Sequence, residues 1–403
     1  MNWLTTGVAA LVCAFGAEVP DDLPLPLPPP PNLLRPEIRW NLPWPDSSRP
    51  AAGYQIVSGV EHFEIYHANP EQGVFSHHAH ITFHGGVFYA AWSNHVTPDE
   101  DGPGQRVLGS ISKDGRTWAP AFELFPPLDK NEPKENRGSG KWRLLTDNGW
   151  LTVDDTVYAI AEVSESGKDG WGRLAREIRP DGTMGGLFWI VDNPPEPLEG
   201  QPRIPDLTDP DYTKIAARIS RLLSDPLQTR SIENLHHTAW TFGLDGQNLC
   251  EPSVYRRSDG VFVKIWRDRG RAKTKRLYVS VSTTTGYWSP PLQTNIPNSP
   301  SKVTTGTLPD GRVYLIGNLV TGHDEVKYDV RDPLVVALSW DGRNFDWARA
   351  IRAGAPPLRF STLRAPGFAY PSAVVANDSL WVIYSIGKED VAVSRIPLSA
   401  LGK

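Results

Sequence analysis

A short unit recurs along the chain, in which a turn of Gly, Asp or Asn residues is followed at once by a strand that carries an aromatic side chain. Five copies are evident, and their aromatic residues are Tyr89, Tyr158, Phe262, Tyr314 and Trp381. Turn residues followed by β-branched and aromatic residues are typical of β-hairpins. Several strands in each repeat of roughly 40–50 residues are the sequence pattern of a β-propeller. Two separate β-sandwiches would explain the strands but not the repetition, and we therefore predict an all-β propeller.

A second repeat is a turn motif. Ser112–Trp118 and Ser339–Phe345 share the form S-x-D-G-x-[TN]-[WF], and Ser282–Trp288 is a degenerate third copy. These segments resemble the Asp-boxes of sialidase-like propellers, although they are one residue shorter than the commonest form. In such a turn the Asp accepts backbone N–H bonds, and the aromatic side chain fills the gap between neighbouring sheets. We therefore expect a structural role and no chemistry for them.

The composition agrees with a strand-rich protein and limits its partners. With 35 Gly and 38 Pro among 403 residues, turns should be many and long helices few. A short helical insertion is expected over 209–223, where Ile215, Ile219 and Leu222 fit one helical face. A net charge of −5 argues against a broad basic surface for nucleic acid, and 39% hydrophobic residues argue against a polytopic membrane protein. We predict a monomer that binds neither nucleic acid nor membrane.

The N-terminal region predicts secretion. Residues 1–17 carry no charged side chain, contain a short apolar run and hold a small-x-small sequence of the kind that a signal peptidase accepts, with a buried strand as the alternative. Residues 18–52 form a Pro-rich segment, and 53–403 are expected to form a single propeller domain. Removal of a signal peptide would leave Cys250 as the one cysteine, so no intramolecular disulfide could form. We expect an extracellular protein.

Candidate functional groups recur at equivalent places in the repeats. His78, Glu251 and Tyr370 align with one another, and each is followed by a small residue or Pro and then by a predicted inner strand. Polar or ionisable groups at the exit of the next strand include Arg267 and Lys388. The blades of a propeller surround a central channel, so we expect these side chains to converge at its mouth.

Histidine is concentrated in one part of the chain. Five of the ten histidines lie at positions 77, 78, 80, 84 and 95, and the pair at 236–237 would belong to another blade that faces the same channel. A zinc site needs three or four converging ligands, whereas a general acid or base needs one imidazole tuned near neutral pH. The spacing favours the acid or base, and the identity of any metal ligand stays open.

Longer stretches of the sequence resemble a known family. Segments 75–95, 251–260, 308–318 and 370–398 are similar to seven-bladed propeller polysaccharide lyases, a group that includes ulvan lyases and the fungal L-rhamnose-α-1,4-D-glucuronate lyases active on gum arabic. The likeness covers most of 54–400. It implies a seven-bladed β-propeller with Asp-box turns and a secreted lyase that cleaves the rhamnose–glucuronate linkage by β-elimination, giving rhamnose and an unsaturated glucuronate.

The same resemblance implies roles for particular residues. β-Elimination needs a base near C5 of the uronate, an acid near the C4 oxygen, and cations or hydrogen-bond donors on the carboxylate. The resemblance assigns proton transfer to His78 and Tyr158 and charge neutralisation to Arg173, with His95 helping to hold the carboxylate. Substrate contacts are then expected from the remaining candidates: Arg267, Glu251, His237, Tyr370, Lys388 and Arg176, the last being an alternative to Arg173. No cofactor is required for this chemistry, although a structural Ca²⁺ in the central channel would fit such folds.

Three other functions share this fold. A propeller hydrolase would use a carboxylate pair drawn from Glu162, Glu251 and Asp268. A sialidase should show an arginine in the first blade, where this chain has histidines at 77, 78 and 80. A lectin-like propeller would bind sugars on exposed aromatic side chains without turnover.

Overall fold

The computed structural model describes residues 37–402 with the exception of 99, 130–141, 166–167, 191–202, 226, 228–240, 271–273, 285–286, 322–329 and 362–364. The predicted signal peptide, most of the Pro-rich segment and the candidate residue His237 lie outside the described residues.

The described strands form five sheets, which we call blades I to V. Blade I contains β3 (Phe75–His84), β4 (Val87–His95), β5 (Arg106–Ser112) and β6 (Phe122–Phe125). Blade II contains β7 (Arg143–Val153), β8 (Thr156–Glu165), β9 (Lys168–Ile178) and β10 (Met184–Trp189). Blade III contains β11 (Thr241–Phe242), β12 (Asn248–Arg256), β13 (Phe262–Asp268), β14 (Arg276–Ser282) and β15 (Leu292–Pro297).

The last two blades include strands from the N-terminal part of the described chain. Blade IV contains β16 (Thr304–Thr307), β17 (Val313–Gly317), β18 (Leu334–Ser339) and β19 (Asn344–Arg352), with β1 (Arg39–Trp40) parallel to β19. Blade V contains β20 (Phe368–Ala376), β21 (Ser379–Ile386), β22 (Asp390–Pro397) and β2 (Glu61–Tyr66). Because β2 pairs antiparallel with β22, strands from both ends of the described chain complete one sheet. The pairing of β2 with β22 closes blade V through backbone hydrogen bonds. Buried Cys250 forms no disulfide.

The chain is an all-β propeller, but the prediction of seven blades is wrong, because the strands of the described residues form five sheets. Each of the five turn-plus-aromatic units falls in a different blade, in β4, β8, β13, β17 or β21. The five repeats evident in the sequence match the five described blades. The expectation of seven came from the resemblance and from the long gap between Tyr158 and Phe262, which has room for two units. The described part of the long gap before β11 contains a helix, α1 (Thr213–Leu223).

The hairpin turns form as the repeats predict. In the turn between β3 and β4, Gly85 and Gly86 have φ of 56° and 80°, and Asn377 and Asp378 between β20 and β21 have φ of 49° and 51°. Positive φ at both central residues is the property of the type I′ turn, whose twist matches that of the flanking strands. The turn residues therefore set the register of each hairpin.

The Asp-box turns have the predicted hydrogen bonds. Asp114 Oδ1 accepts from the backbone N–H groups of Arg116 and Thr117, both at 2.8 Å. Asp341 Oδ1 accepts in the same way from Arg343 at 2.7 Å and Asn344 at 2.8 Å. The aromatic residue that follows Asn344, Phe345, is fully buried in the cluster between blades III and IV. The motif is structural, as expected.

Helix α1 confirms the predicted insertion. Ala216 and Ile219 are fully buried, and Ile215 and Leu222 flank them on the same face. This face packs against Phe188 and neighbouring side chains of blade II. Among the described residues, no helix has both the length and the apolarity that a membrane crossing requires.

Candidate functional site

Four inner strands carry the same irregularity. In β3, β7, β12 and β20, two residues stand opposite a single residue of the neighbouring strand, at 78–79, 148–149, 251–252 and 370–371. Such a two-versus-one bulge bends the strand and redirects a side chain, and bulges are common next to active sites. The same β-bulge therefore recurs in four blades and redirects a side chain in each of these inner strands.

The residue that opens the bulge is left-handed in three of the four strands. His78, Glu251 and Tyr370 have φ of 52°, 49° and 56°, while in β7 the positive φ falls on Gly149. A non-glycine residue in this region costs about 1–3 kcal/mol, and such strain concentrates at functional sites. These are the three residues that the repeat alignment places at equivalent positions, and the structure brings all three to one cavity of about 300 Å³.

A buried hydrogen-bonded triad lies in this cavity, and we call it the tyrosine triad: Tyr370, Glu251 and Arg267. The phenol of Tyr370 donates to Glu251 Oε1 at 2.6 Å, and Arg267 Nη1 donates to Glu251 Oε2 at 2.5 Å and to the Tyr370 oxygen at 2.7 Å. Burial alone would lower the pKa of Arg267, but the Glu251 carboxylate holds it well above its usual value. The guanidinium is therefore a permanent charge, and Glu251 is an acceptor placed to take the phenol proton.

Further cations surround the Tyr370 ring. The distances to its centroid are 5.4 Å from Arg331, 5.8 Å from Lys302 and 6.0 Å from Lys388. Arg269 also lines the cavity. Cationic side chains in a partly enclosed cleft attract an anionic ligand and stabilise negative charge on the phenolic oxygen. The repeats did not predict Arg331, Lys302 or Arg269, because these residues lie outside the equivalent repeat positions.

Two neighbouring histidines pack against Tyr370. His78 lines the cavity, with its ring edge-on to Tyr370 at 5.2 Å and 86°. His77 lies behind it, with its ring centroid 4.0 Å from that of Tyr370. The loop between β4 and β5 brings Glu100 and Asp101 to the same cavity, where Glu100 binds Lys388 Nζ at 2.5 and 2.6 Å.

His95 holds this loop in place. Its Nε2 lies 3.0 Å from the carbonyl oxygen of Pro103, and its Nδ1 accepts from the Thr97 hydroxyl at 2.7 Å. The ring is fully buried. Both ring nitrogens therefore contact the loop that carries Glu100 and Asp101, and the contact of His95 with a substrate carboxylate stays a prediction.

Three other predicted residues lie outside the described cavity lining. Tyr158 packs edge-on against Phe188 beneath α1, with ring centroids 6.2 Å apart, and burial raises its pKa. Arg173 pairs in register with Glu162, and its pKa is lowered by burial to about 10 although Glu162 opposes the shift. Arg176 donates to the carbonyl oxygens of Gly185 and Leu124, both at 2.8 Å, and so ties blade II to blade I. The structure thus does not bring Tyr158, Arg173 and Arg176 together with His78.

A second buried polar group lies beside the tyrosine triad, and we call it the channel array: Asp147, His80 and Lys302. His80 Nδ1 lies 2.8 Å from Asp147 Oδ2, and Lys302 Nζ lies 3.3 Å from His80 Nε2. All three are at most 8% exposed. A neutral imidazole that donates to Asp147 and accepts from Lys302 satisfies this geometry and links a buried anion to a buried cation.

Comparisons with known proteins agree with this architecture. A family model described as a BNR repeat-like domain matches residues 212–383, and one described as an N-terminal β-propeller matches 46–238. A solved structure of a sialidase is 22% identical with a TM-score of 0.70, covering 90% of this chain and 35% of that one. The protein has the sialidase-like β-propeller fold. It spans about a third of the length of that structure.

Two further structures show the same likeness. The Hadza microbial sialidase Hz136 is 11% identical with a TM-score of 0.56, covering 85% of this chain and 69% of that one. Trypanosoma rangeli sialidase is 11% identical with a TM-score of 0.51, covering 86% and 60%. Identities this low concern the fold alone. No curated protein matched the sequence.

Proposed function

We propose that the protein is a glycoside hydrolase that acts on a sugar bearing a carboxylate, with Tyr370 as the nucleophile and Glu251 as its base. The observation that carries the proposal is the tyrosine triad, in which one phenol binds both a carboxylate and a guanidinium. Glycosidases usually employ a pair of carboxylates, and sialidases are an exception that uses a tyrosine nucleophile. A phenol suits an anionic sugar because a second carboxylate approaching the substrate carboxylate would be repelled.

The chemistry follows from the positions of the groups. Glu251 accepts the phenol proton as the Tyr370 oxygen attacks the anomeric carbon, and the glycosidic C–O bond breaks as an acid protonates the leaving oxygen. Asp101 lies exposed at the rim of the cavity and is our candidate for that acid. Water then attacks the glycosyl–tyrosine intermediate, giving its proton to the same acid, and the phenolate leaves and recovers its proton from Glu251.

The cations supply substrate preference. Arg331 and Arg269 reach the cavity alongside Arg267, whose guanidinium is already engaged by Glu251. Arginine forks bind carboxylates in a bidentate manner. We expect uronates or other sugar acids to be cleaved and their neutral counterparts to be poor substrates. Such a substrate suits the extracellular location that we propose from residues 1–17.

The decisive experiment is Tyr370→Phe, which removes the nucleophilic oxygen and little volume. We expect kcat to fall at least ~100-fold on aryl glycosides of acidic sugars, by analogy with loss of one transition-state donor. A fluorinated, activated glycoside should label Tyr370 in the wild-type protein, as read by peptide mass spectrometry. Tyr255→Phe is the matched control, because its buried hydroxyl binds Gly342 at 2.7 Å away from the cavity. Wild-type rates in Tyr370→Phe would refute the proposal.

A lyase acting on the rhamnose–glucuronate linkage is the second candidate. The observation in its favour is His78, which lies edge-on to Tyr370 in the same cavity and so could share proton transfer with it. Incubation with gum arabic and with ulvan separates the two functions. Elimination gives a conjugated double bond that absorbs in the near ultraviolet, whereas hydrolysis releases rhamnose or a sugar acid without that absorbance. If the reaction is elimination, His78→Ala should abolish it; if it is hydrolysis, the same variant should still be labelled at Tyr370 by a fluorinated glycoside.

A further inference from the structure

Three side chains of types that commonly bind metal ions converge beside the tyrosine triad. One nitrogen each from His77 and His78 and one carboxylate oxygen of Glu100 lie within 4.8 Å of one another. The two histidines are at most 5% exposed, and the Glu100 side chain is 28% exposed. We call this group the His–His–Glu cluster.

The bulge in β3 creates the cluster. Consecutive residues of a regular strand point to opposite faces, so two adjacent histidines could not ordinarily bind one ion. The left-handed φ of 52° at His78 breaks this alternation and brings the two ring centroids to 4.4 Å. The strained backbone therefore produces a pair of converging imidazoles.

The hydrogen bonds of His77 assign its tautomer. The Ser385 hydroxyl donates to the carbonyl oxygen of Ala369 at 3.3 Å, which leaves its oxygen to accept from His77 Nδ1–H at 3.0 Å. The lone pair of the neutral ring is then on Nε2, and this atom lies 3.9 Å from Glu100 Oε1. Metal-binding histidines commonly donate their other ring N–H to an outer acceptor in this way.

Lys388 lies on the other side of Glu100. It occupies the turn between β21 and β22 with a φ of 59°, and its ammonium contacts both Glu100 oxygens. An ammonium and a metal ion would compete for the same carboxylate. Two imidazoles and one carboxylate suit a borderline ion such as Zn²⁺ or Co²⁺ better than Ca²⁺ or Mg²⁺, which prefer oxygen ligands.

We propose that His77, His78 and Glu100 form a transition-metal site that Lys388 weakens by competing for Glu100. A bound ion would lie at the edge of the cavity that contains the tyrosine triad, because His77 packs on the Tyr370 ring. The site stands on its own geometry and does not depend on the role of Tyr370.

The experiment is a titration of the chelator-treated full-length protein with Zn²⁺ by calorimetry and with Co²⁺ by visible absorption. We expect one site, with Co²⁺ bands of low coordination number. Glu100→Gln and His77→Gln should each weaken Zn²⁺ binding at least ~10-fold, as losses in a metal site typically do. Lys388→Met should tighten it at least ~10-fold, because the competing charge is removed. Circular dichroism checks that each variant is folded.

The control is His84→Ala, at the far end of the same strand, where the imidazole pairs with Asp155 at 2.9 Å. It should leave the Zn²⁺ affinity unchanged. Absence of binding in both the wild-type protein and Lys388→Met would overturn the proposal, as would binding that Glu100→Gln leaves unaltered. Because the readout is metal affinity, either result is independent of the labelling of Tyr370 that tests the hydrolase.

Discussion

At the scale of single residues, the cavity combines backbone strain with buried charge. His78, Glu251 and Tyr370 each have a left-handed backbone conformation. Each conformation costs free energy that the surrounding sheets must offset. Beside them, the channel array places Asp147 and Lys302 on opposite sides of His80. Buried charges of this kind contribute little net stability while they are paired, but leaving one uncompensated is strongly destabilising.

The channel array can be tested by removing one charge. Asp147→Asn keeps the shape and an acceptor for His80 but removes the buried negative charge that His80 links to Lys302. We expect the free energy of unfolding to fall by about 3 kcal/mol, measured by urea denaturation. The double variant Asp147→Asn/Lys302→Met should recover part of this loss. Additive losses in the double variant would contradict the coupling.

At the scale of elements, the Asp-box turns fix how successive strands of a blade connect. Partial burial alone would raise the pKa of Asp341, but the backbone N–H groups of Asn344 and Arg343 and the side chains of Asn344 and Ser339 lower it to about 2. A carboxyl whose pKa is depressed in the folded state stabilises the protein above its unfolded pKa, which is near 3.9 for Asp. That stability is lost as the pH falls from about 4 to about 2.

The contribution of Asp341 to stability should depend on pH. Asp341→Asn should lower the free energy of unfolding by about 1 kcal/mol at pH 7, after allowance for solvent screening. The difference from the wild-type protein should shrink as the pH falls below about 4, because the wild-type carboxyl becomes protonated. Asp346→Asn, at an exposed position of β19, is the matched control and should change little at any pH. A loss that stays constant down to pH 2 would rule out the carboxylate as its source.

At the scale of the whole molecule, blade V joins strands that are far apart in sequence. Strand β2 provides its outer edge, and Tyr66 and Ile65 at the end of β2 are buried in the cluster shared by blades V and I. Glu61 at the start of β2 pairs with Arg395 of β22 at 2.7 Å and with Arg116 of blade I at 3.0 Å. Loss of β2 packing should therefore affect blades at both ends of the chain.

This closure predicts a single unfolding transition. Ile65→Ala should destabilise the protein by about 2–4 kcal/mol, since it deletes buried methyl groups between two blades. Calorimetry should show one cooperative transition at a lower Tm, because buried clusters join blade I to II, V to I, IV to V and III to IV. Glu64→Ala, at the neighbouring exposed position, is expected to stay within about 0.5 kcal/mol of wild type. Separate melting of blade V in the Ile65 variant would contradict cooperative unfolding of the blades.

Much of the fold was predictable because it depends on local patterns. Four features each depend on residues within about fifteen positions of one another: the turns, the aromatic strands, the Asp-boxes and the apolar face of α1. Over such short distances, side-chain type and backbone preference determine the local structure directly. The equivalence of His78, Glu251 and Tyr370 is also local, since each is followed by a small residue or Pro and then by the same strand pattern. The error in blade number came from the resemblance and from the room for two units in the long gap between repeats, while the repeats themselves numbered five.

The tertiary structure decided what depends on contacts between distant residues. Glu251 and Tyr370 are 119 positions apart, and only the packing of the blades brings them into one hydrogen bond. Arg267 donates to both. The same packing places Tyr158 beneath α1 and Glu100 beside His77, because the direction of a side chain depends on bulges and neighbouring blades. The sequence by itself therefore determined the blades and their turns. The cavity was decided by the packing of distant blades against one another, which no local pattern encodes.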